Sequence, residues 1–471
     1  MSKLYIFGIG GTGARVLRSF TMLMAAGVQL QADEIVPIII DPDASNADLT
    51  RTVQLMNTYR DIRSQLSFTP ENKSQFFRTD LGQVLTNYTL RIQDTDDRTF
   101  RQFISLPSMD KATQAVMRML FSEKNLNSSM DVGFKGNPNI GSVVLNQIVN
   151  SSDFESFANS FAQDDKIFII SSIFGGTGAS GFPLLLKTLR KQDDRAKNIP
   201  NINLINTAEI GAITILPYFS LKTSDTSEID SSTFISKTKS ALAYYEKNIS
   251  GNGGVNALYF LGDDITNTYE NHEGGTMQRN DAHLIEFLAA TAIVDFCNKK
   301  HDKNTTVNKE LGLNDLAGSS VNFSSFTDLQ RRALYNPLTS FILMANCLTR
   351  KFGYYSSQSF NANTDTKYFG DIYGSQFMGS LRQFFAEYLN WLREMKQNKR
   401  SLDLFNLDSG DKPFDVVTGV RPRRVFSTKS DYDLVTDRLN AAVRHCNAQE
   451  MRDRFMETFH LGTQQLIKEK L

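Results

Sequence analysis

Short apolar runs recur along the first 300 positions and alternate with stretches of helical spacing. The runs at residues 4–9, 35–40, 167–173, 212–217 and 257–262 are nearly unbroken and rich in isoleucine and valine. Runs of that kind suit strands covered on both faces, and their alternation with helices suits a parallel sheet. The fold class predicted for residues 1–300 is therefore α/β, a parallel-sheet, Rossmann-like nucleotide-binding layer. Ala14, Leu17 and Met22 place an apolar stripe on a helix after the first run. Leu284, Ile285, Leu288, Ala292 and Phe296 do the same on a long central helix predicted to start near Asn280.

From about residue 330 the pattern changes. Phe377, Leu381, Phe384, Tyr388, Leu392 and Met395 recur at helical spacing, as do Leu434, Leu439 and Val443. The aromatic stripe reads as a core face in preference to a groove for a partner. Residues 301–471 are predicted to form a mainly helical α+β C-terminal domain, with loops at 357–366 and 397–412. No internal repeat is present.

Composition narrows the function classes. A chain of 471 residues with 41% hydrophobic content has room for two or three domains with a sizeable core. Its 51 basic and 51 acidic residues balance, so nothing steers it towards nucleic acid or an anionic membrane. Cys297, Cys347 and Cys446 are far apart and odd in number, which suits reduced thiols better than disulfides or zinc. No apolar run approaches the roughly 20 residues of a membrane span, and residues 3–7 run into glycines instead of a signal-peptide core. A cytoplasmic location is the expectation.

Two glycine loops carry the chemistry. The first, Gly8-Ile-Gly10-Gly11-Thr12-Gly13, leaves a strand and enters a helix. Glycines there permit a sharp turn and a close approach to phosphate, and helix N–H groups supply positive partial charge. Alone, this loop also satisfies the GxGxxG of a dinucleotide enzyme, with Asp41 as the ribose ligand. The second loop, Gly175-Gly176-Thr177-Gly178-Ala179-Ser180-Gly181, likewise follows a buried run and leads into a helix starting near Phe182-Pro183, where proline is well tolerated in a first turn. Two such units in one sheet could cradle one polyphosphate from two sides. A Walker loop would need a lysine that is missing here.

The second loop resembles the tubulin signature GGGTGSG, with Phe174 in place of its first glycine. Other segments follow in the order of the tubulin/FtsZ family. Asp41-Pro42-Asp43-Ala44 is similar to the FtsZ segment NTDA, Gly133 to Gly141 to the loop GAGANPEVG beside the γ-phosphate, and residues 212–219 to the strand ending near the ribose. The resemblance covers about residues 1–335. It implies a tubulin/FtsZ-like GTPase domain binding GTP or GDP with Mg²⁺, through Gly10, Gly11, Thr12, Gly13, Asp43, Gly136, Asn137, Gly175, Gly176, Thr177, Gly178 and Ala179. The stretch between Asp43 and Gly133 is longer than in FtsZ, which implies inserted helices over about 50–130, with 59–66 and 109–121 as candidates.

By the same resemblance, Asn280 is the base-contacting residue, with Asp281 as the alternative. An amide serves both a donor and an acceptor on guanine, whereas a carboxylate only accepts. Neither Thr276 nor Met277 supplies a stacking ring, and the other reading of Asn280 is a helix N-cap. Family hydrolysis is completed between subunits by an acidic loop that in FtsZ reads NVDFADV. Its counterpart lies within 312–330, best matched by Asn322-Phe-Ser-Ser325-Phe326-Thr-Asp328, which makes Asp328 the catalytic candidate and Asp315 the second. The plain alternative for Asp328 is a favourable charge at a helix start.

The resemblance thus implies a bacterial tubulin-like GTPase that assembles head to tail into filaments. A non-hydrolysing scaffold that docks protein partners on its C-terminal helices is the alternative, and an NAD(P)-dependent oxidoreductase a third.

Overall fold

The computed structural model describes residues 2–43, 45–95, 97–130, 133–134, 136–192, 194–221, 232–249, 254–263, 267–269, 279–302, 305–310, 319–357, 367–423 and 428–471. Its centre is an all-parallel sheet of eight strands: β1 (Lys3–Ile9), β2 (Glu34–Ile40), β3 (Asp80–Leu81), β4 (Thr89–Leu90), β5 (Lys166–Ser172), β6 (Glu209–Ile215), β7 (Ala257–Leu261) and β8 (Val307–Glu310). The spatial order is β8-β7-β6-β5-β1-β2-β3, with β4 also paired to β2. Each apolar run of the sequence lies on one of the longer strands, because a parallel strand under helices on both faces has no side for polar residues.

Strand alternation divides the core in two. Leu4 and Ile6 of β1 face one cluster, and Tyr5, Phe7 and Ile9 face the other. The first face is covered by α1 (Gly10–Ala25), α2 (Ala47–Arg63) and α5 (Leu284–Cys297), and the second by α3 (Pro138–Leu145) and α4 (Gly176–Leu189). Helices α6 (Asp328–Thr349), α7 (Gln376–Gln397), α8 (Asp431–Val443) and α9 (Met451–Lys470) form the helical C-terminal region. Their aromatic stripe is core: Phe377, Phe384 and Trp391 are fully buried and continuous with the cluster beneath α1 and α5.

Three boundaries differ from the sequence expectation. Helix α2 begins at Ala47, because the Asn46 side chain accepts from the Asp48 and Leu49 N–H groups and caps it there. Helix α4 begins at Gly176, so Pro183 lies inside it instead of in its first turn. Helix α5 begins at Leu284, where His283 and Glu286 form a reciprocal cap; Asn280 is therefore not its N-cap. In the 50–130 stretch the structure places a helix at Lys111–Leu120. Among the described residues, no helix is long and apolar enough to cross a membrane.

Candidate functional site

Topology fixes where a site can form. From β1 the chain moves outward to β2, β3 and β4, then returns to β5 on the other side of β1. At such a reversal the loops leaving neighbouring strands diverge to opposite faces and open a crevice at their carboxyl ends. Both glycine loops leave from these two strands, one into α1 and the other into α4.

Four loops meet there. Gly10 has a φ of +72°, and a Cβ on it would stand 3.5 Å from the Thr177 Cβ and 3.9 Å from the Gly178 nitrogen. A Cβ on Gly176 would come within 3.0 Å of the Asn137 nitrogen and 3.2 Å of the Gly136 nitrogen, so the third glycine segment closes against the second. A Cβ on Gly133 would stand 3.8 Å from the Pro42 Cγ, and one on Gly11 3.6 Å from the Asn46 side-chain nitrogen. Residues Gly10 to Gly13, Asp43, Gly136, Asn137 and Gly175 to Ala179 therefore come from loops that adjoin one another. Within the first loop, Gly13 crosses Gly8 so closely that a Cβ on Gly13 would strike the Gly8 backbone.

The helix starts differ in a way that matters electrostatically. Helices α2, α3, α5, α6, α7 and α8 each begin with a side-chain cap, from Asn46, Asn137, His283, Thr327, Ser375 and Ser430. Helix α9, away from the loops, has none, and at the crevice itself none is present on α1 and α4. Their first-turn N–H groups, with the positive end of each helix dipole, point into the crevice without a side-chain acceptor, the arrangement that suits an anion. Loops 8–13 and 175–181 contain no lysine or arginine.

Beneath the loops lies a buried ionic network. Arg15, on the second turn of α1, donates to Glu286 at 2.5 Å, Asp48 at 3.0 Å and the Tyr218 hydroxyl at 3.0 Å. Burial opposes its charge, yet Tyr218, Glu286 and Asp48 hold the guanidinium well above its ordinary pKa. Arg51 bridges Asp48 to Glu394 of α7, which also pairs with Arg18 at 2.7 Å. Burial raises the Asp41 carboxyl to about 7, although it accepts the Asp43 N–H at 3.0 Å. Burial likewise lowers His283 to about 4, with Arg15 and Arg400 adding to the shift.

No protein-family model matches the sequence, and no curated protein matches it. Among solved structures, the chain is similar to CetZ2 from Haloferax volcanii in a GTPgS-bound protofilament, 14% identical over 63% of this chain at a TM-score of 0.28. It is similar to CetZ1 from the same organism as a GDP-bound monomer, 13% identical over 63% of this chain at 0.29. A third is CetZ from Methanosaeta thermophila, 14% identical over 56% of this chain at 0.23. The matches span 56%, 61% and 46% of those chains, less than two thirds of their length. At such TM-scores these likenesses carry no functional weight.

The remaining predicted residues fall in different places. Asn280 precedes α5, and its amide nitrogen donates to Asp48 at 2.9 Å, which ties it to the network beneath the loops. Asp328 is the first residue of α6, 76% exposed in its side chain and paired with Arg331 at 2.8 Å. Ser325 is buried, and its hydroxyl accepts from the Asn322 N–H. Asp315, Thr276 and Met277 lie outside the described residues. Phe174 is 4% exposed and edge-on to Tyr218 and Phe219 at 6.1 and 5.4 Å, so its ring is packed among aromatic side chains.

Sequence reasoning passed over Arg15, Asn46, Asp48 and Glu286. Arg15 and Glu286 had a usable signal, since each interrupts an otherwise apolar helical stretch, and a charge at such a position needs a buried partner. Asn46 is an N-cap type just ahead of a helix. Tyr218 lies in the segment 212–219 that resembles the strand ending near the ribose, but nothing in the sequence pointed to its bond with Arg15.

Proposed function

We propose that this protein is tubulin-like, binds a guanine nucleotide in the crevice between β1 and β5, and associates head to tail. The observation that carries this reading is the convergence of Gly10 on Thr177 and of Gly176 on Asn137 at a strand-order reversal, where two uncapped helices begin. Phosphates would be held by backbone N–H groups of loops 10–13 and 175–179, with 136–137 closing the third side. Asn280 stands beside the network, its amide oxygen available to a base edge as an acceptor. Among the described residues no three His, Cys, Asp or Glu side chains are grouped to hold a metal by themselves. Mg²⁺ therefore fits as an ion carried by the phosphates and waters, with Asp43 the one carboxylate of the predicted nucleotide-binding set.

The test is direct binding of GTP, GDP and ATP to the purified chain, with light scattering to follow assembly. Gly176→Val adds a side chain where even a Cβ would stand only 3.0 Å from the Asn137 nitrogen. It should weaken GTP binding by about thirtyfold or more, roughly 2 kcal/mol, while far-ultraviolet circular dichroism stays native. GTP binding that survives this change intact sinks the crevice as the site.

A specific observation favours a second version of this reading, in which turnover is slow or absent. Ser325 occupies the position where the family loop carries its first acid, and its hydroxyl is committed to the Asn322 N–H. Asp328 is left as the one acid of that turn to orient water for a neighbouring subunit.

A further inference from the structure

We propose that the hollow between the start of α6 and the turn at 418–420 binds a small organic anion with a planar apolar body. It is separate from the crevice between β1 and β5 and is built on a different principle. The hollow is open to solvent and spans about 620 Å³, the size range of small-molecule sites. Phe323, 2% exposed, and Tyr335 form its apolar side, with ring centroids 5.0 Å apart and planes at 72°. A planar ligand lying against that pair gains the stacking and burial available to aromatic surfaces.

Charge selects the other end of the ligand. Arg331 and Arg332 line the cavity, and none of the described residues lining it is acidic. Arg331 is committed to Asp328 on the rim, whereas Arg332 pairs with no carboxylate among the described residues. Asn322 adds a neutral donor. Its side-chain oxygen accepts from the Ser324 N–H and hydroxyl, which leaves the amide nitrogen turned towards Gly419. Gly419, with a φ of +78° that favours glycine, borders that nitrogen, a Cβ on it reaching only an ordinary contact distance of 3.7 Å. One unmatched guanidinium and one amide beside an aromatic wall suit a single carboxylate or sulfonate, held by charge-assisted hydrogen bonds. The polyphosphate of a nucleotide carries more negative charge than this wall can match.

Isothermal titration calorimetry of the full chain with 2-naphthoate tests the assignment. Saturable binding at one site is expected, with affinity reduced about tenfold or more by Arg332→Ala, only partly by Arg332→Lys, and about tenfold for the uncharged probe 2-naphthamide. Arg332 is exposed, so its replacement leaves the fold in place, and Tyr335→Leu should weaken the same binding independently. At protein concentrations where GTP produces no light scattering, added GTP should leave naphthoate binding unchanged, which keeps this outcome separate from that of the nucleotide proposal. No saturable binding at about millimolar probe, equal affinity in Arg332→Ala, or displacement by GTP in the unassembled chain would each overturn the assignment.

Discussion

The crevice between β1 and β5 and the turn leading into α6 are assigned by the family resemblance to two halves of one chemistry, yet they are built in opposite ways. At the crevice the loops are packed backbone against backbone, two helix starts lack caps, and the charges beneath are buried and interlocked. At the turn, Asn322 and Ser325 bond to each other, and Asp328 lies 76% exposed with its charge met locally by Arg331. A half that must hold a ligand within one chain has to be rigid and unsatisfied towards that ligand. A half that would act on a neighbouring subunit has to remain soluble until the neighbour arrives, so its charge is exposed and locally paired.

The largest test of that contrast is Arg15→Ala set against Arg331→Ala. Removing the Arg15 guanidinium strands Glu286 and Asp48, each about 1% exposed, without their shared cation. Losing one partner from a buried pair costs about 3–5 kcal/mol, and the same truncation of an exposed pair costs about 0–1 kcal/mol. Urea unfolding followed by circular dichroism should give a midpoint far below wild type for Arg15→Ala and one near it for Arg331→Ala. Comparable midpoints would remove the claim that the crevice is the rigid half.

A smaller effect separates two titrating groups on the crevice side. Asp41 has a folded-state value of about 7, above its ordinary 3.8, so its stabilising contribution is present below about pH 4 and is lost as pH rises through 7. His283 has a folded value of about 4, below its ordinary 6.5, so its contribution is present above about pH 6.5 and is lost as pH falls through 4. Between those limits the two slopes oppose each other. Asp41→Asn removes the loss on the alkaline side, so relative to wild type it should gain about 3 kcal/mol on going from about pH 4 to about pH 8. His283→Gln should flatten the loss on the acid side. A pH-independent difference between Asp41→Asn and wild type would show that the carboxyl is not held protonated by burial.

What the sequence made legible follows the same division. The apolar runs located all five of the longest strands, because a strand buried on both faces leaves no polar positions to confuse the pattern. The glycine segments were legible because close backbone approach excludes other residues, as at Gly13 against Gly8. The start of α4 was missed since its spacing becomes apolar only at Phe182, while the winding begins among glycines that carry no periodicity. The network of Arg15, Asp48, Glu286 and Glu394 was illegible because its members are up to hundreds of residues apart, and only the packing of α1, α2, α5 and α7 brings them together.

The smallest effect on stability belongs to Asp328→Ala, and it is the most telling about the turn. The side chain is exposed and its partner is three residues on along the same helix, so the loss should stay within about 0.5 kcal/mol and the unfolding midpoint should barely move. Nucleotide affinity should also hold, since the crevice lies in another part of the chain's fold. If the turn completes a neighbour's site, phosphate release per subunit should nonetheless fall by about a hundredfold, the scale expected when a water-orienting or proton-accepting group is lost. Turnover that matches wild type in Asp328→Ala would leave the exposed carboxylate as a helix-start charge alone. The crevice would then be the whole of the nucleotide chemistry this chain performs.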